Sequence, residues 1–147
     1  APAYGRAEAQ LGQVMKARRS EVFLATKANV EDAKGALESL EQSLRDLQTD
    51  HVDLTYVHAL GGKDPDHVMS REGALAGLME AKRRGLTRFL GFTAHNAPWK
   101  CARVLGETDV DAVMLAMITL LILAAISALS SAVSIAFQDT SSVINYR

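Results

Sequence analysis

The stretch from Leu37 to His58 constrains the fold most, because within it a helix-period pattern gives way abruptly to a strand-period one. Leu37, Leu40, Leu44 and Leu47 recur at steps of three and four and lie along one helix face, with Glu38, Glu41, Arg45 and Asp46 on the wet side. After Thr49 and Asp50 the chain turns to Val52, Leu54, Tyr56 and Val57, a β-rich run closed by His58 and the Gly61-Gly62 pair. A helix leading directly into a strand and a glycine stop is half of a βαβ unit. In parallel α/β folds, chemistry gathers at the carboxyl ends of strands, which makes His58 a candidate functional residue. The competing reading is a histidine that only caps a strand-end carbonyl.

The same unit repeats on both sides. A helix is predicted from Arg6 to Arg18, with Ala7, Leu11, Val14 and Met15 sharing a face and Lys16, Arg18 and Arg19 near its end, where cations suit the dipole. Glu21 to Lys27 reads as a buried parallel strand. Ser70 is the predicted N-cap of a helix that turns Ala74, Leu75, Leu78 and Met79 inward and stops at Gly85. Leu86 to Thr93 is the next strand. Asn96 and Pro98 open a short helix carrying Trp99, Ala102 and Leu105 and ended by Gly106, and Val110 to Ala116 reads as a further strand. Parallel strands alternating with helices at this spacing predict an α/β chain curled as part of a (β/α)8 TIM barrel, with fewer strands than closure needs.

A length of 147 residues, 48% of them hydrophobic, with a net charge of -1, allows one core and excludes nucleic acid as an electrostatically recruited partner. Cys101, the only cysteine, can form neither an internal disulfide nor a multi-cysteine metal site, as suits a reducing, cytoplasmic setting. His51, His58, His67 and His95 lie on separate elements without paired spacing, so no metal is expected. The opening Ala1-Pro2-Ala3-Tyr4-Gly5 carries no leader pattern and reads as an internal start. From Ala112 to Phe137 there is no charged residue. The chain therefore divides into residues 1–116 and an apolar tail, 117–147, whose 117–137 segment is long enough to span a bilayer. That would make the protein membrane-associated. The alternatives are a buried strand followed by a core helix, or a frame-shifted end.

Tyr4 lies in a turn ahead of the first helix, while Lys27 and His58 end successive strands, so in a barrel all three converge on one mouth. A phenol ordinarily titrates near pH ~10, and a neighbouring ammonium favours its anion, so such a pair can give a proton to a developing alkoxide. A histidine alongside can hold a carbonyl oxygen in place.

Several segments occur in an order that resembles the aldo-keto reductases. They are Ala3-Tyr4-Gly5 with Ala7-Glu8 and Leu11-Gly12; Glu21 through Lys27; Leu37-Glu38 with Ser43-Leu44; Leu47-Gln48-Thr49-Asp50; Val52-Asp53-Leu54 with His58; and Gly91-Phe92-Thr93. The resemblance covers about residues 1–116. It implies a (β/α)8 barrel that reduces aldehydes or ketones, small-molecule carbonyl substrates, with NADPH and without metal or flavin. By the resemblance Tyr4 is the proton donor, Lys27 the lysine that assists it, and His58 the histidine that orients the carbonyl. Many members carry Ser-Asn at the nicotinamide; here Thr93, His95 and Asn96 are the candidates. The resemblance also implies an aspartate partner for Lys27 in a segment before Ala1, and an asparagine or glutamine near Ile118, where Met117-Ile118-Thr119-Leu120 stands. The late strands, whose loops grip the cofactor phosphates in the family, have no counterpart. The chain is thus expected to be an incomplete barrel, from the loop after strand two to strand six, inactive alone. The alternative is a non-catalytic half-barrel, anchored in a membrane by its tail or self-associating through open sheet edges.

Overall fold

A computed structural model describes residues 1–115. Four strands, β1 (Ala25–Ala28), β2 (Val52–Val57), β3 (Thr87–Ala94) and β4 (Ala112–Leu115), form one sheet in the order β1-β2-β3-β4, every pair parallel. Helix α1 (Ala7–Arg18) precedes β1, and α2 (Ala33–Leu47) joins β1 to β2. The short α3 (Pro65–Met69) and α4 (Ala74–Arg83) lie between β2 and β3, and α5 (Pro98–Glu107) joins β3 to β4. Sequential parallel strands, each reached through a helix, are the order in which a (β/α)8 barrel is laid down.

The leucine face of α2 behaves as its spacing requires. Leu40, Leu44 and Leu47 are buried against Met15, Leu24, Val52 and Ala81, with Leu37 partly buried beside them. Asp32 caps the helix by accepting the Gly35 N–H at 2.8 Å, and the helix ends where Gln48 turns left-handed at φ 52°. In register, Lys27, Tyr56, Gly91 and Ala112 stand side by side on one face of the sheet. Ala28, Val57, Leu90 and Phe92 face the other way, into a core with Ala36, Leu75, Leu78 and Val104 of the helices.

Four local expectations are corrected. The buried face of α1 is Glu8, Gly12 and Met15, while Leu11 and Val14 are exposed. A Cβ on Gly12 would lie 2.2 Å from the Asp46 carbonyl oxygen, so contact with α2 selects glycine there. The first strand starts only at Ala25: Arg19–Glu21 form a 3₁₀ turn, the Arg19 guanidinium holds the Val22 carbonyl, and Val22 and Phe23 are exposed. Ser70 ends α3 instead of opening α4, whose N-cap is Gly73, where a Cβ would meet the His67 carbonyl oxygen at 1.9 Å. On α4 Ala74, Leu75 and Leu78 face inward as expected but Met79 is 58% exposed, and on α5 the buried residues are Cys101 and Val104. The apolar segment 117–147, with the membrane reading of 117–137, falls outside the described residues. Among the described residues no helix is long and apolar enough to cross a membrane, and no group of three or more His, Cys, Asp or Glu is placed to hold a metal ion.

The amino ends of the strands are tied by one carboxylate. Asp53, only 4% exposed, accepts hydrogen bonds from the Leu24 N–H, Arg19 Nη2 and Arg88 Nη1, each at 2.8 Å. Burial alone would raise its pKa, but the Leu24 N–H and the Arg88 and Arg19 guanidinium groups outweigh that and hold it below the usual carboxylate range.

Candidate active site at the carboxyl ends of the strands

Three of the side chains singled out by sequence meet at the opposite end. Lys27, in register beside Tyr56, directs its ammonium to Tyr4, with Nζ donating to the phenolic oxygen at 3.3 Å and lying 5.4 Å from the ring centroid. Tyr4 closes a 3₁₀ turn, Pro2–Tyr4, ahead of α1, and is 55% exposed. His58 directly follows β2, and its ring is 6.4 Å from the Tyr4 ring, centroid to centroid, at 57°. A phenol, an ammonium and an imidazole from three separate elements thus face one another.

His58 is electrostatically distinctive. Burial lowers its pKa first, and the neighbouring cations Lys27 and Lys63 lower it further, so the neutral imidazole is favoured. Among the described residues its buried Nδ1 has no hydrogen-bond partner. A neutral imidazole offers one N–H and one lone pair, which suits it to orient a carbonyl oxygen.

The three residues proposed for nicotinamide contact divide. Thr93 is buried at the end of β3, and its hydroxyl oxygen accepts the Ala59 N–H at 3.0 Å, which binds it to the loop after His58. His95 and Asn96 are exposed on the loop after β3. Asn96 lies close against Gly61: a Cβ there would come 1.8 Å from Asn96 Oδ1. Two further lysines reach the same rim and were not singled out by sequence. Lys63 is buried, with Nζ 3.7 Å from Glu31 Oε1, and Lys100 donates to the carbonyls of Gly61 and Lys63. Only their position, Lys63 just past the glycine pair after His58 and Lys100 in the first turn after Pro98, could have drawn attention to them.

The profile of the Aldo/keto reductase family matches residues 1–127. A Salmonella typhi protein, methylglyoxal reductase DkgB, is 35% identical over 96 residues, which cover 62% of this chain and 35% of that protein. The chain therefore spans about a third of the length of this curated relative. Among solved structures, a Pseudomonas aeruginosa protein assigned to the aldo-keto reductases is 29% identical, with a TM-score of 0.66, covering 78% of this chain and 46% of that one. A Bombyx mori aldo-keto reductase, solved in complex with NADP, is 25% identical with a TM-score of 0.60, covering 77% of this chain and 40% of its own. The described strands and helices are accordingly part of a (β/α)8 barrel, and the chain belongs to the aldo/keto reductase family.

Proposed function

We propose that residues 1–116 carry the proton-handling half of a carbonyl reductase, with residues 117–147 as a separate apolar segment, and that the reaction is NADPH-dependent reduction of an aldehyde or ketone to an alcohol. The observation that carries this reading is the 3.3 Å contact of Lys27 with Tyr4, with His58 facing the same phenol. The Tyr4 hydroxyl gives its proton to the alkoxide that develops on the carbonyl oxygen. The Lys27 ammonium stabilises the phenolate left behind. The His58 imidazole orients the carbonyl oxygen towards the phenol. The relative named for methylglyoxal supports small carbonyl compounds as the substrate class.

The residues present fit the nicotinamide end of the cofactor: exposed His95 and Asn96 flank the mouth, and buried Thr93 braces the loop after His58. When bound, NADPH supplies the hydride that adds to the carbonyl carbon while the oxygen takes the Tyr4 proton. In a complete barrel carrying these residues, Tyr4→Phe should lower kcat by a factor of about 10² to 10⁴ and leave NADPH affinity nearly unchanged. A kcat within a factor of a few of the parent would remove Tyr4 from the role of acid.

A further inference from the structure

The loop that follows His58 is held in place by the next βα unit. Ala59 adopts φ 56°, a left-handed conformation that a residue with a side chain seldom takes unaided. Its N–H is fixed on Thr93 Oγ1 at 3.0 Å, and Asn96 packs on Gly61 with no room for a Cβ. Lys100, in the first turn of α5, completes the attachment: its Nζ donates to the Gly61 carbonyl at 3.1 Å and to the Lys63 carbonyl at 2.6 Å. Elsewhere on that helix, Arg103 meets the carboxylates of Asp66 and Glu107, as an exposed cation ordinarily does. Lys100 is half-buried and gives its donors to two backbone carbonyls instead. An ammonium carries three donors and can gather carbonyls that no single N–H could reach together.

We propose that Lys100 is a positioning residue: its ammonium clamps loop 59–63 onto α5 and so keeps the half-buried His58 imidazole in its place beside Tyr4 and Lys27. Without the clamp, loop 59–63 swings outward and water reaches His58 Nδ1, which is buried and, among the described residues, unpartnered. The inference rests on the functional reading only in regarding His58 as catalytic. The clamp itself is testable without turnover.

The test is an NMR titration of the His58 ring in residues 1–147, together with amide exchange of loop 59–63. Of the groups acting on that ring, Lys27, His95, the amino terminus and the Tyr4 phenol lie outside loop 59–63 and stay in place in a Lys100→Met variant, whereas Lys63 moves outward with the loop and its departure raises the midpoint in the same direction. Lys100→Met should raise the His58 midpoint by about half a unit towards the ordinary histidine value, and loop exchange should quicken roughly tenfold. Lys100→Arg, which keeps the charge and the donors, should restore both. Arg103→Met, which removes the pairing of the same helix with Asp66, should change neither and so separates the clamp from a loosened α5. If Lys100→Met does not fold, Lys100→Gln, too short to span both carbonyls, should move both readouts in the same direction. A midpoint within about 0.1 unit of the parent, with unchanged loop exchange, would overturn the proposal. A normal Lys100 effect alongside an inert Tyr4→Phe in the complete barrel would instead count against the carbonyl-reductase reading alone.

Discussion

Replacing Asp53 by alanine should destabilise the protein by about 3–5 kcal/mol without touching the mouth, since this carboxylate lies at the far ends of the strands. The magnitude follows from its three partners. A hydrogen bond to a charged acceptor contributes about 1.5–3 kcal/mol, so the Leu24 N–H and the mostly buried Arg19 together account for about 3–6. Arg88 is 59% exposed and solvent screening reduces its share to at most about 1 kcal/mol. Arg19 still holds the carbonyls of Val22 and His51 at 3.0 and 3.1 Å in the variant, so its charge is not left bare, which trims the upper end. For a chain of this size the fall in Tm is roughly 10–20 °C. Urea and thermal denaturation at pH 7 read it directly, and pH supplies a second reading. Because the folded pKa of Asp53 lies below its unfolded value near ~3.9, its contribution is fully present above that pH and is lost as pH falls through the folded value. The gap between parent and Asp53→Asn should therefore hold from neutral pH to about pH 4 and narrow only below it. A loss under about 1 kcal/mol at pH 7, or a gap indifferent to acid, would refute the reasoning.

Other expectations concern the sheet, the histidine and the cofactor. Gly91→Ala sets a methyl 2.3 Å from the Ala112 carbonyl oxygen and 2.9 Å from the Tyr56 ring, so it should cost about 1–3 kcal/mol, with amide protection lost first along β4. His58 titrates lower when folded than when unfolded, so the unfolded chain binds the extra proton first and stability should decline as pH drops below about 6.5. Denaturation of His58→Gln from pH 8 to 5 should lack that decline, and parallel curves would exclude it. Residues 1–147 alone should neither bind NADPH at micromolar concentration nor turn over simple aldehydes, because no lysine or arginine lies between Arg103 and Arg147 to hold a 2′-phosphate of about two charges. Trp99, 63% exposed on α5, is the reporter: saturable quenching by NADPH, stronger than by NADH, would contradict this.

What the sequence determined by itself is what depends on near neighbours. The three-and-four spacing of Leu40, Leu44 and Leu47 specifies one face of α2, and the switch to Val52, Leu54 and Tyr56 specifies the strand that carries His58 at its end. Lys27 was legible in the same way, as the charged end of an apolar run, and the ordered segments of the resemblance pointed to the family. The tertiary structure decided everything whose reason lies far along the chain. Glu8 turns inward on α1 because its carboxylate accepts hydroxyls from Thr26 and Ser43, 18 and 35 residues away, and periodicity alone assigned that face to Leu11 and Val14. Lys100 turns to carbonyls 39 and 37 residues back, which no helical pattern encodes. Tyr4 reaches Lys27 only because α1 returns the chain to β1. Periodicity records whether a side chain faces water or protein, whereas the partner of a buried polar group is set by long-range contacts that exist only once the sheet and its helices have packed.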